Sequence, residues 1–318
     1  MPLNYTRTCL TKVHKELNKE PLPEIVFPQF VAVDSERLIG FDNKKHLTVK
    51  GSGTTKGGLV SANTTVFDSV DIDFGEKTTT IRGWMKTVSF NEFELEKAKN
   101  CGVDVTKEKM KHLNEVANLT IQKVAFIGHE DDVRITGLLN SKEVKVINSV
   151  NASAVGIDMS KPLKDMNCEQ AVEWFGKAFE LVIEQSDEVV KPNTVAIDGS
   201  DRRYLATLRN IRGEKALDLI EADLSELAEQ EVKVKGIPQG FAKKVEDGVS
   251  RVVIYNKNPK FAIMDIPLAP TIVEADKVGL VNIQTGMRAE FGGVCFKNER
   301  TAMYFDLPLV GAKKSKGK

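Results

Sequence analysis

No two cysteines in this chain lie close enough in sequence to form a CxxC pair. The four, Cys9, Cys101, Cys168 and Cys295, are widely separated, which argues against a zinc ribbon or redox site and fits a reducing compartment. Net charge is lacking too. Lys+Arg and Asp+Glu both number 45, so no global basic field points to nucleic-acid recognition. No apolar run approaches the roughly 20 residues of a membrane helix, and the polar start MPLNYTRTCLTKVHKEL does not read as a signal peptide. The expectation is a soluble, cytoplasmic protein with no membrane partner. Internal repeats, a GxSxG elbow, a GxGxxG after a strand and a Cys/His constellation are also missing.

What is present is an ordinary globular composition, 41% hydrophobic and 28% charged over 318 residues. That is enough for two domains or one large domain with extensions. Residues 1–24 are polar and read as an arm, and Ile25–Val33, interrupted by Pro28, as an edge strand or extended segment. Residues 38–49 are strand-like and lead to KGSGTTKGG, Lys50 to Gly58. Beyond it, Val70, Ile72 and Phe74 alternate with Asp71 and Asp73 as a half-exposed strand does. The glycines therefore lie between two extended segments. A P-loop needs GxxxxGK[ST] between strand and helix; here Thr55 and Gly57 replace the required Gly and Ser/Thr, and no helix follows. The stretch reads as a flexible hairpin tip.

Helical spacing begins later. FNEFELEKAKN reads as a short helix stopped near Gly102. Thr106 then reads as N-cap of a helix of about six turns, with Met110, Leu113, Ala117, Thr120, Ile121 and Val124 as its apolar stripe and Gly128 as its end. A second long helix follows Asn167, with Gln170 completing a capping box. TVAID is a buried strand, SDRRYLATLRNI and EKALDLIEADL are helices, and EVKVKGI, SRVVIYN and FAIMDIPLA are strands. The end alternates like two strands around a turn near Lys297–Glu299. This order predicts a mixed α+β fold, not a doubly wound sheet.

Three groups could carry chemistry. His129, Glu130, Asp131 and Asp132 begin like HExxH, but Val133 takes the second histidine's place; a solvated turn is the simpler reading. Asp198–Arg203 has Ser200 placed to cap a helix where an anion could sit. The tail KKSKGK, Lys313 to Lys318, could touch nucleic acid non-specifically. None amounts to an active site, so no catalytic residue, cofactor site or metal site is assigned.

The run from Ser89 to Asn140, SFNEFELEKAKNCGVDVTKEKMKHLNEVANLTIQKVAFIGHEDDVRITGLLN, resembles the central region of tailed-phage major capsid proteins, whose shell fold is shared with encapsulins and herpesvirus capsid proteins. NTVAIDGSDRRYLATLRN is similar to that family's apical stretch. The resemblance implies an N-terminal arm (1–37), an extended-loop β-hairpin (38–87), a peripheral domain with a spine helix (88–150), an axial domain (151–278), and a β return to the peripheral domain with a basic tail (279–318). It implies Lys50, Gly51, Gly53, Lys56, Gly57 and Gly58 as the tip of an assembly loop, and Met110, Leu113, Ala117, Ile121 and Val124 as the core of the spine. It also implies copies joining as pentamers and hexamers into an icosahedral shell around double-stranded DNA, with scaffolding, portal and decoration proteins as further partners. An encapsulin-type cargo compartment is the near alternative. A nucleotide- or metal-dependent enzyme using Gly51–Gly58 or His129–Asp132 is the distant one.

Overall fold

The computed structural model describes residues 23–52, 71–100, 104–279 and 281–309. Phe27, Phe30 and Val31 gather around a 3₁₀ turn at Phe27–Gln29 and are buried, so the last part of the expected arm belongs to the core. Strand β1 (Ala32–Asp34) follows. β2 (Asn43–Ser52) runs antiparallel to β3 (Asp71–Asn91), from Asn43↔Thr80 to Ser52↔Asp71. β3 then continues past β2 for a second half of its length and ends in helix α1 (Glu92–Asn100).

Helix α2 (Val105–Ile127) is the spine. Its cap is Asp104, whose side chain accepts from the Lys107 amide; Thr106, the expected cap, lies inside the first turn. Gly128 ends it at φ +72, where a Cβ would fall 2.3 Å from the Ile135 carbonyl oxygen. A Cβ on Gly137 would come within 2.4 Å of the Phe126 carbonyl carbon. These two glycines let residues 128–139 double back against the helix end. There Leu138 and Leu139 donate amide hydrogen bonds to the carbonyls of Ala125 and Phe126, at 2.8 and 2.9 Å. Asn140 closes the passage, accepting from the Gly137 amide and donating to the Ile127 carbonyl. The GLLN motif thus covers the helix's last carbonyls while burying both leucines.

The rest runs β4 (Lys145–Ile147), α3 (Cys168–Gln185), β5 (Thr194–Asp198), α4 (Gly199–Thr207), α5 (Ala216–Ala228), β6 (Lys233–Ile237), β7 (Val249–Tyr255), β8 (Ala262–Asp265), β9 (Leu268–Val278), β10 (Asn282–Gly292), β11 (Val294–Phe296) and β12 (Ala302–Pro308). α3 starts with the full capping box of Asn167 and Gln170. The strands form sheets ordered β4-β12-β7-β5-β6, β2-β3-β10-β9 and β1-β8-β11. Val195, Ile197, Val252, Ile254, Met303 and Phe305 on the five-stranded sheet meet Phe175, Phe179 and Val182 of α3 and Ile220 and Leu224 of α5. Alternate residues of the same strands, Ala196, Val253, Tyr255 and Tyr304, meet Ile121, Val124 and Phe126 of α2 on the opposite face.

Strand pairing runs across the expected boundaries. β12 does not join β2-β3-β10-β9 but sits between β4 and β7, because its residues Ala302–Leu307 are buried on both faces, as an interior strand must be. β4, from the 88–150 segment, joins it there. β9, from the 151–278 segment, instead leaves to pair with β10. β11 and β12 flank a 3₁₀ turn at Glu299–Thr301 but belong to different sheets.

Candidate assembly surface

Directly opposed residues of an antiparallel ladder share a face. Along the β2–β3 ladder, Leu47↔Glu76, Val49↔Phe74 and Gly51↔Ile72 therefore point one way, and Lys44↔Thr79, His46↔Lys77 and Thr48↔Gly75 the other. The first face carries Leu47, Val49, Ile72 and Phe74, which are 53–71% exposed. Fully burying one side chain of this kind is worth about 1.5–3 kcal/mol. A row of four on a two-stranded ribbon, which is marginal in water by itself, is a surface that favours a partner. Lys50 and Gly51 lie within the ladder opposite Asp73 and Ile72; Gly53, Lys56, Gly57 and Gly58 lie outside the described residues.

The hairpin's root is fixed by charges from other elements. Lys44 Nζ lies 2.6 Å from Asp34, 3.1 Å from Glu36 and 3.2 Å from Asp265. Burial works against the Lys44 ammonium, but the surrounding carboxylates outweigh it and raise its pKa; the hydrogen bond from Lys44 in turn holds Asp34 below the usual carboxylate range. His46 Nε2 lies 3.0 Å from Asp265. Lys77 reaches Glu143 at 2.5 Å and the Phe296 carbonyl at 2.9 Å. Arg82 bridges Asp132 and Asp42.

The spine stripe divides between two cores. Leu113 and Ala117 are buried against Met287 of β10, with Met110, Trp84 and Val88 half-buried beside them. Ile121 and Val124 join Phe30, Phe126 and Phe241 in the larger core. Sequence reasoning passed over Gln122, which is fully buried on the same helix. Its Oε1 accepts from the Val26 amide at 2.7 Å and its Nε2 donates to the Glu24 carbonyl at 3.1 Å, clamping the incoming arm. A buried amide needs such partners, but its position in the helical period is polar-looking and only the arm explains it. The apolar hairpin face was legible strand by strand, yet not as one surface, because the register across the glycine-rich stretch is not readable from spacing.

The chemistry-bearing groups are committed to structure. Asp132 accepts from Arg134 Nε and Nη2, both at 2.8 Å, and from Arg82 at 3.0 Å; Glu130 pairs with Lys123 at 2.6 Å. His112 is exposed on α2 beside Glu115. At the start of α4 the cap is Asp198 rather than Ser200: it accepts from the Ser200 amide, and Lys243 donates to both Asp198 and the Ser200 hydroxyl. Burial pushes the Asp198 carboxyl up, but these hydrogen bonds win and hold it low. Among the described residues no group of three or more His, Cys, Asp or Glu side chains is placed to hold a metal ion, and no helix is long and apolar enough to cross a membrane.

The sequence profile of the major capsid protein family matches residues 56–307. No curated protein matches the chain. Among solved structures, the capsid of Myoviridae phage XM1 superposes with a TM-score of 0.76 at 15% identity, covering 94% of this chain and 97% of that one. The capsid of a native gene transfer agent particle gives 0.62 at 12% identity, covering 97% and 99%. A virus-like particle from Pyrococcus furiosus gives 0.50 at 13% identity, covering 83% and 86%. With a family match over most of its length, this chain belongs to the major capsid protein family and is a structural capsid protein, not an enzyme.

Proposed function

We propose that the chain is the major capsid protein of a tailed phage or prophage, and that copies associate as pentamers and hexamers into an icosahedral shell enclosing double-stranded DNA. Assembly takes place in the bacterial host cytoplasm, with scaffolding, portal and decoration proteins as further partners. The hairpin is the assembly loop, with Lys50, Gly51, Gly53, Lys56, Gly57 and Gly58 toward its tip. The exposed apolar row Leu47–Val49–Ile72–Phe74 supports this reading most directly, because a monomer gains nothing from leaving it in water. The encapsulin-type alternative has less behind it: the Pyrococcus particle is a more distant fold match than the XM1 capsid.

The test is a triple variant, Leu47→Ser, Val49→Thr and Phe74→Thr, expressed alone. These sites are exposed, so each change should alter subunit stability by no more than about 0.5 kcal/mol. Circular dichroism and melting should match the unaltered chain, while gradient sedimentation and negative-stain microscopy should show no closed shells. Normal shells from the triple variant would remove the hairpin face from the assembly mechanism.

A further inference from the structure

Several half-buried cations have no carboxylate partner among the described residues, Arg202 and Lys297 among them, and two of these cations meet at a single turn. Lys235 on β6 extends past the Phe30 ring, with Nζ 6.0 Å from its centroid, and donates to the Gln29 carbonyl at 2.6 Å. Lys257, just after β7, donates to the neighbouring Pro28 carbonyl at 2.9 Å. The two ammonium groups thus converge on adjacent carbonyls of one turn. Among the described residues neither has a carboxylate within ion-pair distance; Glu231, close in sequence, is taken by Lys233. Burial lowers the pKa of both lysines, and for Lys235 the like charges of Lys257 and Lys233 lower it further. Half-buried like charges held together by fixed carbonyls lower the stability of an isolated subunit, and an anion from outside relieves the repulsion.

The converse arrangement lies on another sheet. β9 is the open edge of β2-β3-β10-β9. Its register against β10 shifts between Gln284 and Gly286, a bulge at Glu274 and Ala275, and edge bulges commonly re-aim side chains. Glu274 and Asp276 are exposed there with no cation partner among the described residues, between the exposed apolar side chains of Ile272 and Val278. A long strand edge with charges and apolar groups side by side is either guarded or paired.

We propose that Lys235 and Lys257 receive the carboxylates of Glu274 and Asp276 from a second copy of this chain. The inference rests on the shell reading and adds to it a specific contact. The two patches sit on different sheets of one subunit, so within a ring each copy offers its lysines to one neighbour and its carboxylates to the other, a head-to-tail contact. A balanced total of 45 cations and 45 anions favours a protein partner over nucleic acid, which would select a net basic face.

The experiment is a charge swap in the full-length chain. Lys235→Glu with Lys257→Glu should fold, by circular dichroism and melting, but lower the shell fraction in a sedimentation gradient by more than about tenfold, because like charges then face each other. Glu274→Lys with Asp276→Lys should do the same. The quadruple variant restores opposite signs and should recover shells. A milder pair, Lys235→Met with Lys257→Met, keeps the packing and should make assembly less sensitive to salt than in the unaltered chain. Wild-type shell yield from the lysine reversal, or a quadruple variant no better than either double, overturns the contact. So does a lysine reversal that assembles normally but loses salt-sensitive binding of linear double-stranded DNA, which would assign the site to nucleic acid. If the unaltered chain itself stays monomeric, the shell reading falls and this contact falls with it; shells from the unaltered chain with no effect of reversal reject the contact alone.

Discussion

Replacing Asp306 by alanine is expected to cost about 3–5 kcal/mol of subunit stability and to lower the melting temperature by roughly 10 °C. Asp306 on β12 stands directly opposite Arg251 on β7, and both are buried. The guanidinium donates from Nε to Oδ1 and from Nη2 to Oδ2, each at 2.6 Å, and from Nη1 to the Leu139 carbonyl at 2.8 Å. It also stacks over the Tyr304 ring, 5.0 Å from the centroid. Burial opposes the charge on Arg251, yet the paired carboxylate more than offsets this and raises its pKa. Alanine at 306 would leave that buried charge with only the exposed Glu246 carboxylate, 3.7 Å away. The double variant Arg251→Met with Asp306→Leu should recover most of the loss, since an apolar pair of similar volume often substitutes well. A single variant within about 1 kcal/mol of the unaltered chain would show that the pair is wetter than its geometry implies.

Leu113→Asp should leave little soluble protein. Leu113 fills the seam where α2 crosses the spine-side sheet, against Met287 and beside Trp84 and Val88. A carboxylate there would have no partner, at a cost of several kcal/mol on top of the lost apolar contact. Leu113→Met, which conserves volume, should cost less than about 1.5 kcal/mol and provides the control. Wild-type yield and melting temperature for the aspartate variant would mean that the seam opens readily to water.

These sites differ in how much of them spacing reveals. The stripe through Leu113, Ala117, Ile121 and Val124 follows the helical period, so its inward face is legible without tertiary information. The box at Asn167 and Gln170 is equally local. Asp104 and Thr106 are both capable caps, and only the backbone decides between them. Sheet membership is another matter. β12 is read as a strand from its alternation, whereas β4 and nearly all of β9 carry no strand reading, and the neighbour each pairs with depends on contacts far along the chain, such as Met303 with Lys145. Arg251 and Asp306 carry no sign of their partnership until β7 and β12 are aligned. The same holds for Lys235 and Lys257, separated in sequence and joined only through the turn at Pro28 and Gln29.

β3 changes partners midway without a break. Its residues 71–80 pair with β2 and 81–91 with β10, about 33 Å of strand outward and about 36 Å inward at the usual rise per residue. It is therefore a lever with nearly equal arms and its fulcrum at Thr80–Ile81. The root contacts of Lys44, His46, Lys77 and Arg82 brace that fulcrum. Under the proposed assembly, a force applied by a neighbour at the outer end would arrive as torque on the sheet beneath the spine helix, at comparable mechanical advantage. If the hairpin seats on a neighbour as proposed, each subunit would feel the next one's contact as bending stress in its own core, and mechanical load would be shared around the wall instead of stopping at each boundary.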